Sequence, residues 1–189
     1  MADDWESALR KLTRVIPSEG IKTTVLDAMR SDLADRAAAL IMASAADTML
    51  QGAIVYILGL NRQHQINAFF YSDGPFATFD RRIVGASNLN VVGPRTTTNL
   101  KVIKNVRNVF AHALSNVSFS SDQIIKACYK IKLSDTSQFF VDQEEERKIR
   151  FIFGFACDEI FRTMLEDIEH KWIFGHLPRQ ILPDTPMLP

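Results

Sequence analysis

Cysteine, histidine and net charge are what this chain has least of. Two cysteines and four histidines stand among its 189 residues. Cys128 and Cys157 both lie among apolar neighbours in helical-looking segments, so they read as buried, reduced thiols. Without histidines clustered around them they make no zinc pattern, and no metal or cofactor is expected. The 22 basic residues are matched by 22 acidic ones. A broad electrostatic grip on nucleic acid needs many phosphate contacts, which zero net charge argues against. A small basic cleft is still compatible with it.

A leader and a membrane span are not expected either. The start, Met1-Ala2-Asp3-Asp4-Trp5-Glu6, is acidic and has no signal-peptide apolar region. The most apolar stretch, Ala37 to Leu60, is interrupted by Asp47 and Gln51. A charge near the middle of a span is costly, so this stretch reads as a buried core helix. The expectation is a cytoplasmic protein with no membrane contact. Strand signals are scarce, and neither an internal repeat nor a domain linker stands out. Length and a 47% apolar fraction fit one all-α domain over residues 1–176, followed by a proline-rich tail at 177–189.

What is present is helical periodicity. Trp5, Leu9, Leu12 and Ile16 predict a first amphipathic helix closed by Pro17 and Gly20, with a short piece around Val25 to Met29 after it. Ser31-Asp32 is placed to cap a long helix from Leu33 to Leu58, ended by Gly59. That helix is apolar nearly all round and rich in alanine, which suits the middle of a bundle. Arg36 and Asp47 are eleven residues apart on it, about three turns, so they share one side. Both read as polar partners of a neighbouring helix.

A helix around Gln65 to Phe70 leads to the turn Asp73-Gly74-Pro75. Phe76, Phe79, Ile83 and Val84 then form an apolar stripe, with Arg81 and Arg82 on a solvated face. Ser120-Ser121-Asp122 predicts the start of a helix to about Leu133. Asp142 followed by Glu145 resembles a capping box opening a last helix to about Phe174. His170 and His176 near its end read as surface or cap residues.

Chemistry concentrates in Arg107-Asn108-Val109-Phe110-Ala111-His112, at the end of a helix that begins between Pro94 and Asn99. Val102, Val106, Val109, Phe110 and Ala113 are expected on its apolar face, and Lys101, Asn105, Asn108 and His112 on the opposite sector. Arg107 and His112 are five apart, about 140° round an ideal helix at about 100° per residue. They do not face each other within one straight helix. A histidine with a pKa near neutrality can move protons at a ribose hydroxyl, and an arginine can hold a scissile phosphate. The same residues can equally serve as hydrogen-bonding groups of a packed helix.

Three blocks resemble the mannitol operon repressor family: Asp35-Arg36-Ala37-Ala38-Ala39-Leu40-Ile41-Met42-Ala43-Ser44-Ala45, then Gly74-Pro75-Phe76-Ala77-Thr78-Phe79-Asp80-Arg81-Arg82-Ile83, then the arginine-asparagine-histidine block. With their spacing they cover roughly residues 33–133. The third block also resembles the RX4H signature of HEPN domains, helical bundles that often dimerise and many of which are metal-independent ribonucleases. That resemblance implies a HEPN-like bundle with Arg107 and His112 as catalytic residues, Asn108 beside them, and a homodimer.

Three functions follow as expectations. One is a regulatory or interaction protein that acts through protein partners, since no helix-turn-helix with a basic recognition face is visible and direct DNA binding is not expected. Another is a metal-independent endoribonuclease using Arg107 and His112, with RNA as substrate. The third is a HEPN-like scaffold that binds a nucleotide or RNA without cutting it. Arg36, Asp47, Arg81, Arg82, Lys101 and Asn105 are the candidate ligand or interface residues around the cluster.

Overall fold

A computed structural model describes residues 18–30, 34–114, 116–133 and 144–173. Seven α-helices and no strand occur among these residues. They are α1 (Ser18–Arg30), α2 (Asp35–Ile57), α3 (Gln63–Phe70), α4 (Phe79–Asn88), α5 (Pro94–His112), α6 (Asp122–Cys128) and α7 (Glu145–Ile173). The all-α character read from the periodicity is what these residues adopt.

The long alanine-rich helix is the hub. α2 packs against α1, α4, α5 and α7. Ala38, Ala39, Ala43, Ala45, Ala46 and Ala53 are buried beside Met42, Leu50 and Ile54. Small side chains on several faces let four neighbours approach one axis. By length and composition α2 could cross a membrane, but its apolar surface is largely spent on these neighbours. It starts at Asp35, two residues later than expected, after Ala34, which supplies no side-chain cap. Gly59 follows its end with φ +62°, the left-handed conformation that glycine adopts at no steric cost.

α7 contributes Ile149, Phe153, Ala156, Cys157, Ile160 and Met164 to the same core. A file of rings ties it to α5: Phe110 lies 5.0 Å from Phe119, and Phe119 lies 5.7 Å from Phe153. Aromatic pairs at such spacing add stability beyond their buried area.

Several expectations need correction. Gly20 does not close a helix; it falls in the first turn of α1, where backbone N–H groups lack intrahelical partners in any case. α1 is accordingly longer than the expected piece from Val25 to Met29. α4 begins at Phe79 and so leaves Phe76 of the expected stripe ahead of the helix, because Thr78 Oγ1 accepts from the Arg81 backbone N–H at 3.3 Å and caps the helix there. Val84 is exposed, not part of the apolar stripe. α6 stops at Cys128, well before Leu133. The buried Asn99 amide takes the place of a further helical turn: its Nδ2 donates to Lys132 O at 3.0 Å and its Oδ1 accepts from Lys132 N at 2.9 Å. The helix expected over Trp5 to Ile16, the caps at Ser31-Asp32 and Asp142, the His170 side chain, His176 and the tail lie outside the described residues.

Candidate functional site

α5 is built to present polar groups on one side. Gly93 and Pro94 open it, with proline in the first turn where its missing N–H costs nothing. Its buried side carries Leu100, Ile103, Val106 and Phe110, together with the polar Thr96, Thr97 and Asn99. The expected apolar face is thus rotated. Val109 is 44% exposed, and Ala113 lies beyond the last helical residue as its C-cap. A helix with valine at 102, 106 and 109 offered two stripes, and the larger Leu100, Ile103 and Phe110 took the core.

Lys101, Asn105 and His112 are exposed, while Arg107 and Asn108 are half-buried. Arg107 turns inward. Its guanidinium carbon sits 5.9 Å from the centre of the Phe79 ring, and its Nη1 donates to Asn108 Oδ1 at 3.2 Å. His112 instead opens to solvent, and among the described residues it makes no side-chain hydrogen bond. The two residues of the catalytic expectation are therefore not brought together within one chain. The angle of about 140° is the physical reason, and the aromatic ring holding Arg107 keeps it there.

Beneath Arg107 lies a charged node in which Asp47 is the polar partner of a neighbouring helix that its place on α2 suggested, although the sequence does not disclose that the partner is Arg82. Asp47 of α2 pairs with Arg82 of α4, Nη1 to Oδ1 at 2.8 Å, both side chains less than one-fifth exposed. Arg82 also donates through Nε to Phe76 O at 2.9 Å and lies 5.6 Å over the Phe70 ring. The solvated face expected for Arg81 and Arg82 is half correct. Arg81 is exposed and reaches Gly74 O, whereas Arg82 is a half-buried strut between three segments. Burial raises the Asp47 carboxyl above its ordinary value, partly offset by the charge and hydrogen bond of Arg82 and by the charge of Arg107. One carboxylate thus serves two guanidinium groups, and only one of them bonds to it.

Arg36, the other candidate on α2, donates to Ala113 O at 2.9 Å and so holds the end of α5. It also lines a cleft of about 980 Å³ beside Asn116, Val117 and Ser118, walled on the far side by Arg147, Arg150 and Phe151. Inside, Asp35 accepts from Phe119 N at 2.7 Å and pairs with Arg150 at 3.3 Å. Sequence spacing had no means to find Asp35 or Arg150, since 115 residues separate them. On the α5 side, Lys104 meets Asp80 at 2.5 Å.

Other chemistries find little support in these residues. Cys128 and Cys157 are buried free thiols, and burial pushes the first up to about 12 and the second well above the usual thiol value. Such thiols stay protonated and are poor nucleophiles. No group of three metal-ligating side chains occurs among the described residues. No family model, curated protein or solved structure matches the chain.

Proposed function

We propose that this chain is a regulatory or interaction protein that works through protein partners, in keeping with its resemblance to the mannitol operon repressor family. The observation carrying this reading is the split of the polar cluster. Arg107 is held inward on Phe79 and His112 faces solvent, so the chain presents a recognition face rather than an assembled catalytic pair. Proton transfer at a phosphate needs both groups within reach of the same atoms. Exposed Asn105, Val109 and His112 supply instead the mixed polar and apolar contacts of a protein interface.

A photo-crosslinker at Asn105 tests this. The expected result is covalent capture of one defined protein, with none when the same group stands at Asp73, which is exposed elsewhere. Sequence-specific binding of the purified chain to promoter DNA at physiological salt would contradict it.

A second reading is favoured by one specific observation, the exposure of His112. In a homodimer, His112 of one copy could meet Arg107 of the other and complete a metal-independent endoribonuclease. That reading predicts RNA cleavage that survives chelators and disappears on dilution to monomer.

A further inference from the structure

The cleft beside α1, α2 and α7 gathers more positive charge than the folding of its walls calls for. Arg30 reaches it from the last turn of α1, Arg36 from the start of α2, and Arg147 and Arg150 from α7. Two of these are held in place. Arg36 is anchored on Ala113 O, and Arg150 on Asp35 and, at 2.7 Å, on Ala28 O. Arg30 and Arg147 are exposed, and neither makes a side-chain hydrogen bond or ion pair among the described residues. Helix stability does not account for this set. Arg36 and Arg147 stand in the first turns of α2 and α7, where a cation opposes the positive end of the helix dipole. The carboxylates on the same walls leave Arg30 and Arg147 unspent. Asp35 has both oxygens committed, to Arg150 and to Phe119 N. Glu144 and Glu146 are exposed beside the N-terminus of α7, which their charge suits.

We propose that this cleft is a binding site for a small phosphate monoester with an apolar body. Such a site goes beyond the partner reading given above and does not rest on it. A phosphate monoester carries three strong acceptor oxygens in a tetrahedral array, so guanidinium forks from several helices can engage it together. A carboxylate offers two oxygens in one plane and serves such a set less completely. Val117 and Phe151, both half-buried, supply an apolar wall for the rest of the molecule. Asn116 and Ser118 add neutral hydrogen-bonding groups. A volume of about 980 Å³ lies at the upper end of the range for small-molecule sites. Nucleic acid needs an extended row of phosphate contacts, which one cleft does not provide.

The probe is phenyl phosphate, titrated calorimetrically into the full chain in a phosphate-free buffer. Saturable binding is the expected result, about ten-fold or more tighter than for inorganic phosphate, phenol or benzoate. Arg30→Ala combined with Arg147→Ala should weaken it about ten-fold or more, the scale of losing a charge-assisted hydrogen bond. Both side chains are exposed and make no such bonds among the described residues, so the double variant should keep the wild-type Tm. Lys126→Ala, an exposed cation off these walls, should leave affinity unchanged. Absence of saturable binding would overturn the proposal, as would equal affinity in the double variant. Phenol or inorganic phosphate binding as tightly as phenyl phosphate would overturn it too, since half of the ligand would then suffice. Equal binding of benzoate would replace the phosphate class by a carboxylate one. Tighter binding to phosphatidic acid vesicles than to the soluble ester would make the ligand a lipid headgroup and overturn the small-molecule assignment.

Discussion

Arg82 and Arg107 approach Asp47 from different helices, and that asymmetry sets the behaviour of single residues here. Burial is the largest influence on Asp47, and it disfavours the ionised form. The sign for stability follows from linkage. A carboxyl whose folded pKa is raised contributes stability that is fully present below its unfolded value and lost as pH rises through the folded one. Asparagine cannot ionise, so Asp47→Asn should gain on the wild type as pH climbs above about 4, the ordinary carboxyl value. Urea unfolding of both proteins across that window checks it; a wild-type advantage that grows with pH would contradict it. Gly74 is a second sensitive residue. A Cβ there would lie 2.5 Å from Phe69 O and 2.6 Å from Ala68 O, both backbone atoms. Gly74→Ala should cost about 1–3 kcal/mol, the range for overpacking, which thermal unfolding would record as a lower Tm.

At the scale of elements, much was legible from pattern and much from nothing short of the fold. Alanine spacing disclosed α2 as the hub, and Gly59 and Gly93-Pro94 marked helix ends where φ or a missing N–H leaves few alternatives. Polar groups that substitute for helical hydrogen bonds were not legible. Asn99 meets Lys132 across 33 residues, and α6 ends early because of it. Asn99→Ala would leave the Lys132 backbone groups without those partners, at a cost of about 1–3 kcal/mol. Hydrogen exchange should quicken at Lys132, where that amide now donates to Asn99. Unchanged exchange there would show that the clamp is dispensable. The candidate site divides the same way. Its residue types stood out on α5, but which of them turn inward depended on Phe79 and Asp47, brought from two other helices. The face carrying Val109 was misread because three valines and three larger apolar residues compete for one buried side.

For the whole molecule, neutral total charge conceals a carboxylate-free helix whose outer side is polar and partly apolar. Association through that face should weaken with salt, since charge contacts made by the exposed Lys101 are screened within about 8 Å at physiological ionic strength. If partner capture from Asn105 proved insensitive to salt, aliphatic contacts rather than charge would govern it. The central claim, that the arginine–asparagine–histidine helix recognises and does not cut, has one direct measurement. Wild type, Arg107→Ala and His112→Ala, matched for helicity and oligomeric state, are incubated with labelled total RNA in EDTA. Intact RNA with all three is the expected result. Cleavage by the wild type that is lost in His112→Ala would contradict it and make the protein an endoribonuclease.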